Sequence, residues 1–303
     1  MPVALISTKL FVPPPRPQAV VRCRLLERLN GTLADGCSLT LVSASAGFGK
    51  TTLLGEWIND LKRRDPKRGV AWLSLDERDS DPSRFLMYFV AALQCIEPGI
   101  GTDAMTALQS PRAPSTDPIL TELINEIEGL GKDIILVLDD YHTVDSRQVD
   151  AQLAFLLENL PAHLHLVIGT REDPNLPLPR LRARGLLSEL RAGDLRFTPE
   201  ETTLYLGASL GTELETEEIK ALETRTEGWI AGLQLAALSM RGQKDRSGFI
   251  RTFSGSHRYV LDYLADEVLR NEPVEIQTFL MRTSILDRLC GPLCEALMDG
   301  ISG

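Results

Sequence analysis

Residues 44–51 read Ala-Ser-Ala-Gly-Phe-Gly-Lys-Thr, set between a short apolar run and an amphipathic stretch. The run Leu39-Thr40-Leu41-Val42 has the make-up of a buried strand, and Leu53, Leu54, Trp57, Ile58 and Leu61 recur at helical spacing beyond the loop. Strand, glycine-bearing loop and helix in this order are what a phosphate-binding loop requires. Successive backbone N–H groups around Gly47 and Gly49, over Ser45, Ala46, Gly47, Phe48, Gly49, Lys50, Thr51 and Thr52, would wrap a β-phosphate at the positive end of the helix dipole. Lys50 would reach the β/γ oxygens, and the Thr51 hydroxyl would ligate Mg²⁺. The first glycine of the strict motif is replaced by Ala44, so the loop has to begin in a conformation open to a residue with a Cβ. The expected ligand is a nucleoside tri- or diphosphate.

A second motif, Ile134-Ile135-Leu136-Val137-Leu138-Asp139-Asp140, ends an apolar run on two carboxylates. Open α/β sheets place ligands at the carboxyl ends of their strands. Asp139 suits holding Mg²⁺ through water, and Asp140 suits orienting an attacking water. An isolated run of this kind is often only a strand ending in a turn. Downstream of a phosphate loop, with one strand between, it marks the same active centre.

A chain of 303 residues suits two or three domains, and 43% hydrophobic with 24% charged residues is ordinary globular composition. No run approaches the ~18 apolar residues of a membrane span. The start, Met-Pro-Val-Ala-Leu-Ile-Ser-Thr-Lys, lacks the plan of a signal peptide, so a cytoplasmic location is expected. Cys23, Cys37, Cys95, Cys290 and Cys294 are scattered and odd in number, which reads as reduced thiols packed like small hydrophobes. A net charge of −10 opposes direct nucleic-acid binding, because affinity for a polyanion comes from Lys and Arg.

Further strands are expected at Gly69–Leu75, Ile134–Leu138 and Leu164–Gly169, with a weaker one at Leu186–Leu190. Helices open at Asp81-Pro82 and cover Pro118–Leu130 and 149–160, while 97–116 reads as turn. Strands separated by helices imply a parallel sheet covered on both faces. From Thr198-Pro199-Glu200-Glu201, a capping box with proline at the first helical position, only helices are expected: 199–209, 216–225, 229–241, 257–270 and 273–282. Gly242–Ser254 reads as a loop, and Trp229–Met240, apolar nearly all round, as a helix buried between neighbours. The last residues, Met298 to Gly303, suggest a piece of a longer protein.

Blocks along most of the chain resemble the nucleotide-binding region of large LuxR-type transcription activators of the maltose-regulon type, within the STAND class of P-loop NTPases. They include Thr8-Lys9-Leu10, Val21-Arg22, Ser43-Ala44 through Thr51, and Trp72-Leu73-Ser74-Leu75-Asp76-Glu77 with Asp81-Pro82-x-Arg84-Phe85. Leu138-Asp139-Asp140-Tyr141-His142, Thr170-Arg171 and Leu195-Arg196-Phe197-Thr198 follow. Then come Glu227-Gly228-Trp229 before Gly232-Leu233, Tyr263-Leu264-Ala265-x-Glu267-Val268-Leu269, and Phe279-Leu280-x-x-Thr283-Ser284-Ile285-Leu286. The resemblance implies an ASCE/AAA-like α/β P-loop domain over residues 1–195, an all-helical domain over 196–254 and the start of a winged helix over 255–303. It also implies ATP/ADP as the nucleotide, self-association when activated, and sensor and DNA-binding domains beyond this sequence.

It further makes Arg171 a γ-phosphate sensor, a task that suits a permanently charged, bidentate guanidinium. The competing reading is an exposed arginine in an arginine-rich loop. Arg22 reads either as approaching the adenine or phosphates or as a helix-start salt bridge. His142 reads as fixing its loop by hydrogen bonding, Trp57, Trp72 and Trp229 as core, and Arg180, Arg182 and Arg184 as a solvated face. The implied function is a slow regulatory ATPase that switches between ADP-closed and ATP-open forms. The alternatives are a turnover ATPase of motor or loader type, a phosphotransferase, and a nucleotide-stabilised scaffold.

Overall fold

A computed structural model describes residues 5–16, 19–110, 116–211, 214–241, 245–255, 257–286 and 288–299. Five strands, β1 (Leu39–Ser43), β2 (Gly69–Ser74), β3 (Ile134–Asp139), β4 (Leu164–Thr170) and β5 (Leu187–Arg191), form one parallel sheet in the order β2-β3-β4-β1-β5. Sequence order and sheet order differ at the point that matters, because β4 lies between β1 and β3. Ser43 pairs with Thr170, Leu138 with Ile168, and Ser74 with Asp139, so β1, β3 and β4 end together. The phosphate loop, the two aspartates and Arg171 therefore leave the sheet from one edge.

Alternation along the strands feeds a separate core on each face. Leu39, Leu41, Leu136, Leu138, Leu166 and Ile168 point to one, where they meet Phe85 and Phe89 of the Pro82–Gln94 helix. Val42, Ile135, Val137, Val167 and Leu190 point to the other, against Leu53, Leu54 and Trp57 of the Lys50–Arg64 helix and Leu25 and Leu29 of the Cys23–Ala34 helix. A third core, with Phe197, Leu206, Leu222, Leu233 and Met240, belongs to the helical part. The expected capping box opens that part: Glu201 N–H donates to Thr198 Oγ1 at 3.2 Å, and Thr198 N–H donates to Glu201 Oε2 at 3.0 Å.

Several expectations need correction. A helix, Thr102–Leu108, occupies the segment read as turn; its seven residues bury only Ala104 and Leu108, too few to display a period. Another, Arg246–Thr252, sits inside the segment read as loop and is capped by Asp245, whose Oδ1 accepts from Gly248 N–H at 2.8 Å. The Ile230–Met240 helix buries Ala231, Gly232, Leu233, Ala236, Ala237 and Met240 but leaves Leu238 exposed, so it is covered on one side and not all round. Cys23, Cys95 and Cys290 are exposed, and no cysteine belongs to a core. Among the described residues no helix is long and apolar enough to cross a membrane.

Candidate nucleotide site

A cavity of about 810 Å³ opens where the sheet edge faces the helical part. Ala46, Gly47, Gly49, Lys50, Thr51, Thr52, Asp140 and Arg171 line its sheet side. Gly47 and Gly49 adopt φ of 81° and 71°, the left-handed region, which is why glycine is needed at both positions. Lys50 is buried, and its Nζ donates to the carbonyls of Ala44 at 2.6 Å and Ser45 at 3.2 Å. Burial pulls its pKa down to about 8, offset in part by Asp140. An ammonium so placed has more to gain from a phosphate than from two neutral carbonyls. Ser45 and Phe48 do not line the cavity, and Phe48 packs instead against the core that holds Trp57.

Asp139 is 1% exposed and hydrogen-bonds the Thr51 hydroxyl, while its Oδ1 is buried without a partner. Burial, then the charge of Asp140, pushes its pKa up to about 7. A hydroxyl, an orphaned carboxylate oxygen and the phosphate loop together fit Mg²⁺, which takes hard oxygen ligands and keeps much of its water. Gly169 on β4 makes the room, because a Cβ there would stand 2.7 Å from Asp139 Oδ1. No motif pointed to Gly169; its importance follows from β4 lying beside β3. Asp140 takes φ 57° at the strand end, and burial raises its pKa against the pull of Lys50 and Arg171.

Arg22 is buried and donates to Gly49 O at 3.1 Å and Leu195 O at 3.3 Å. Its partners are main-chain carbonyls, so in place of a helix-start salt bridge it pins the phosphate loop to the start of the helical part. Burial lowers its pKa to about 10. His142 does not fix its loop through Nδ1, which is buried and without a hydrogen-bond partner, and burial lowers its pKa to about 4. The arginine cluster is in part an ion-pair surface: Arg182 Nε meets Glu189 Oε2 at 2.8 Å, and Arg180 pairs with Glu158.

The helical side of the cavity brings residues that sequence reasoning missed. Phe197, Tyr205, Ile230, Ala231, Gln234 and Arg241 line it, and from the opposite wall Glu56 of the Lys50–Arg64 helix adds two buried carboxylate oxygens without hydrogen-bond partners. Trp229 is no simple core residue, since its Nε1–H donates to Ala46 O at 3.1 Å. Ala231 N–H donates to Gly47 O at 3.0 Å. Trp229 also packs edge-on against Tyr263, with centroids 5.6 Å apart. Arg171 reaches across to Glu267, donating to its carbonyl at 2.7 Å and its Oε2 at 3.0 Å.

Comparison with known proteins agrees with this geometry. Residues 20–168 match the AAA ATPase domain family, and residues 265–302 match the MalT winged helix domain family. The HTH-type transcriptional regulator MalT of Serratia proteamaculans is 33% identical over 286 residues, 93% of this chain and 30% of that protein. The serine/threonine-protein kinase PknK of Mycobacterium tuberculosis is 33% identical over 297 residues, 98% of this chain and 26% of that protein. The chain thus spans less than a third of the length of these relatives. A Walker-type ATPase of Pyrococcus abyssi shares the fold, with TM-score 0.55, 15% identity and coverage of 95% of this chain and 90% of that one. An AAA ATPase domain match over the sheet part and a MalT winged helix domain match at the other end agree with the phosphate loop and the helical part: over nearly all its length the chain is similar to the ATPase-bearing region of MalT-type proteins.

Proposed function

We propose that this chain is the regulatory ATPase module of a signal-responsive transcriptional activator, in which ADP holds the sheet and helical parts closed and ATP favours an open, self-associating form. The observation that supports this most directly is the pair of hydrogen bonds from Trp229 and Ala231 to the phosphate-loop carbonyls of Ala46 and Gly47. The loop that would hold the phosphates is thereby also the docking surface for the helical part. A ligand on such a loop biases the docking by whatever difference it feels between docked and undocked states. The two named relatives support a module separable from its output, since one is a kinase and the other a transcriptional regulator, yet both match nearly all of this chain.

In this reading Lys50 meets the β/γ oxygens, Thr51 and Asp139 hold Mg²⁺, Asp140 orients the attacking water and Arg171 reads the terminal phosphate. Bound there, Mg²⁺ would offset charge on the phosphates. Hydrolysis is slow and resets the switch. The module divides into a nucleotide-binding domain (1–195), a helical domain (196–254) and a partial winged helix (255–303), in a cytoplasmic protein whose sensor and DNA-binding domains lie outside this sequence.

The test is the melting temperature with Mg²⁺ and increasing ADP, ATP or GTP, with Lys50→Ala as control. A ligand at 100 times its Kd adds ~2.7 kcal/mol, which at about 2–4 °C per kcal/mol is a shift of several degrees. A larger shift at lower concentration with ADP than with ATP, lost in Lys50→Ala, supports the switch. Equal shifts with a steady-state turnover near the ~10 s⁻¹ of ordinary enzymes would point to a turnover ATPase instead.

A further inference from the structure

Arg171 leaves the carboxyl end of β4 beside the phosphate loop, and both terminal nitrogens of its guanidinium are engaged by Glu267. Nη1 donates to the Glu267 carbonyl at 2.7 Å, and Nη2 donates to Glu267 Oε2 at 3.0 Å. Glu267 is the last residue of the Arg258–Glu267 helix, the end at which the helix dipole favours a positive charge. Arg171 thus caps the helix and pairs its terminal carboxylate at once. Both residues line the cavity with Lys50, Thr51 and Asp140, and the Glu267 charge is near enough to act on Asp140.

We propose that Glu267 makes this site select a nucleoside diphosphate over a triphosphate, by holding the guanidinium that a third phosphate would need. The inference rests on the phosphate-loop reading given above and adds the residue that sets phosphate number. A diphosphate on residues 44–51 draws on the loop N–H groups and Lys50 and asks nothing of Arg171. A third phosphate brings further negative charge to an edge that already carries the carboxyl groups of Asp139, Asp140 and Glu267. Lys50 is shared with the β-phosphate, and Arg171, a further cation beside Asp140, can join it only by giving up both Glu267 contacts, and with them the end of the helix.

The pair is half-exposed, 30% for the Arg171 side chain and 46% for that of Glu267, so solvent screens it. A pair of this kind is worth up to about 1 kcal/mol, which is about fivefold in affinity. The competing role is a plain tether between two parts of the chain. In the switch reading, loss of a tether would weaken the diphosphate while strengthening the triphosphate; loss of a selector strengthens the triphosphate and leaves the diphosphate unchanged.

The experiment is equilibrium titration of the whole chain with Mg-ADP and with the non-hydrolysable βγ-methylene analogue of Mg-ATP. Wild type is compared with Glu267→Gln, Glu267→Ala, Arg171→Ala and the Arg171→Ala/Glu267→Ala double variant. Both Glu267 variants are expected to bind the triphosphate analogue about fivefold more tightly, with ADP affinity held within about twofold. In the Arg171→Ala background the Glu267 change should leave the ratio unaltered. An unchanged ratio in the Glu267 variants overturns the proposal. So does an equal change with Arg171 absent, which would assign the effect to the general field of the carboxylate. If Glu267→Ala does not fold, the near-isosteric Glu267→Gln carries the test. Wild type that is folded and free of nucleotide yet binds neither ligand would instead remove the phosphate-loop reading on which the proposal stands.

Discussion

The carboxyl of Asp139 shows how far one residue's environment shapes the site. Folded, it keeps its proton up to about pH 7, whereas an unfolded aspartate releases it near pH ~4. Between those values the folded chain binds more protons than the unfolded one, so the stability of the nucleotide-free protein falls as pH rises from about 4 to about 7. Asp139→Asn fixes the neutral form: urea unfolding from pH 5 to 8 is expected to lose part of that slope, with the variant the more stable at pH 7.5. An unchanged slope would show that Asp139 is ionised in the free protein. Lys50 acts in another window and with the opposite sign. Its lowered pKa makes stability rise with pH between about 8 and 10.5. The room for Asp139 is set by Gly169, where a Cβ would also come within 3.3 Å of Leu54 Cδ1. Overpacking of this kind costs about 1–3 kcal/mol. Gly169→Ala should therefore lower the melting temperature and weaken the Mg²⁺-dependent part of nucleotide affinity, while Gly193→Ala, where a Cβ meets nothing within 4 Å, should do neither.

At the scale of elements, the Glu227-Gly228-Trp229 turn is the part whose purpose the sequence concealed. Glu227 and Gly228 both take the left-handed conformation, at φ 50° and 70°. Gly228 O accepts from Phe197 N–H at 2.9 Å, and a Cβ on Gly228 would lie 2.6 Å from Phe197 O. The turn is thus pressed onto the start of the helical part, and it delivers Trp229 and Ala231 to the phosphate loop. Gly47 accepts them because it has no side chain: a Cβ there would be 2.6 Å from Ala231 Cβ and 2.7 Å from Trp229 Nε1. The sequence disclosed the phosphate loop, the aspartate pair, the parallel sheet and the capping box, because each follows from local order or from a period within one element. It hid the cavity's second wall, since contacts spanning about 180 residues, such as Trp229 with Ala46, leave no local pattern. An all-apolar helix with a tryptophan at its start reads as core until its neighbour is known. Trp229→Phe keeps a smaller aromatic ring beside Tyr263 and removes the indole N–H with its one hydrogen bond, worth about 0.5–1.5 kcal/mol. Release of a fluorescent ADP analogue is expected to quicken about two- to tenfold with little loss of melting temperature. Unaltered release would mean that the tryptophan only packs.

For the whole molecule, the sheet and helical parts hold separate cores, and polar groups are prominent where they meet. Arg24 binds Glu201 and the carbonyls of Asp194 and Arg196 at the junction, and Arg22 binds the Leu195 carbonyl. Beyond the junction the parts touch through Trp229, Ala231 and the Arg171–Glu267 pair around the cavity. Contacts of that kind can be exchanged without exposing any of the three apolar cores, so parting the two bodies costs far less than unfolding either. Hydrogen exchange should therefore divide the amides into two classes. The strand amides of β1, β3 and β4 should be protected to nearly the same degree with or without nucleotide. The amides of Ala231 and of the Arg258–Glu267 helix should gain protection with Mg-ADP and gain less, or none, with the βγ-methylene analogue of Mg-ATP. The sign follows from linkage, because only a ligand that binds the docked state better can slow its opening. If both nucleotides protect those amides equally, docking does not distinguish a diphosphate from a triphosphate; if neither protects them, the phosphate loop binds without sensing the helical part, and the two hydrogen bonds on Ala46 and Gly47 are packing and no more.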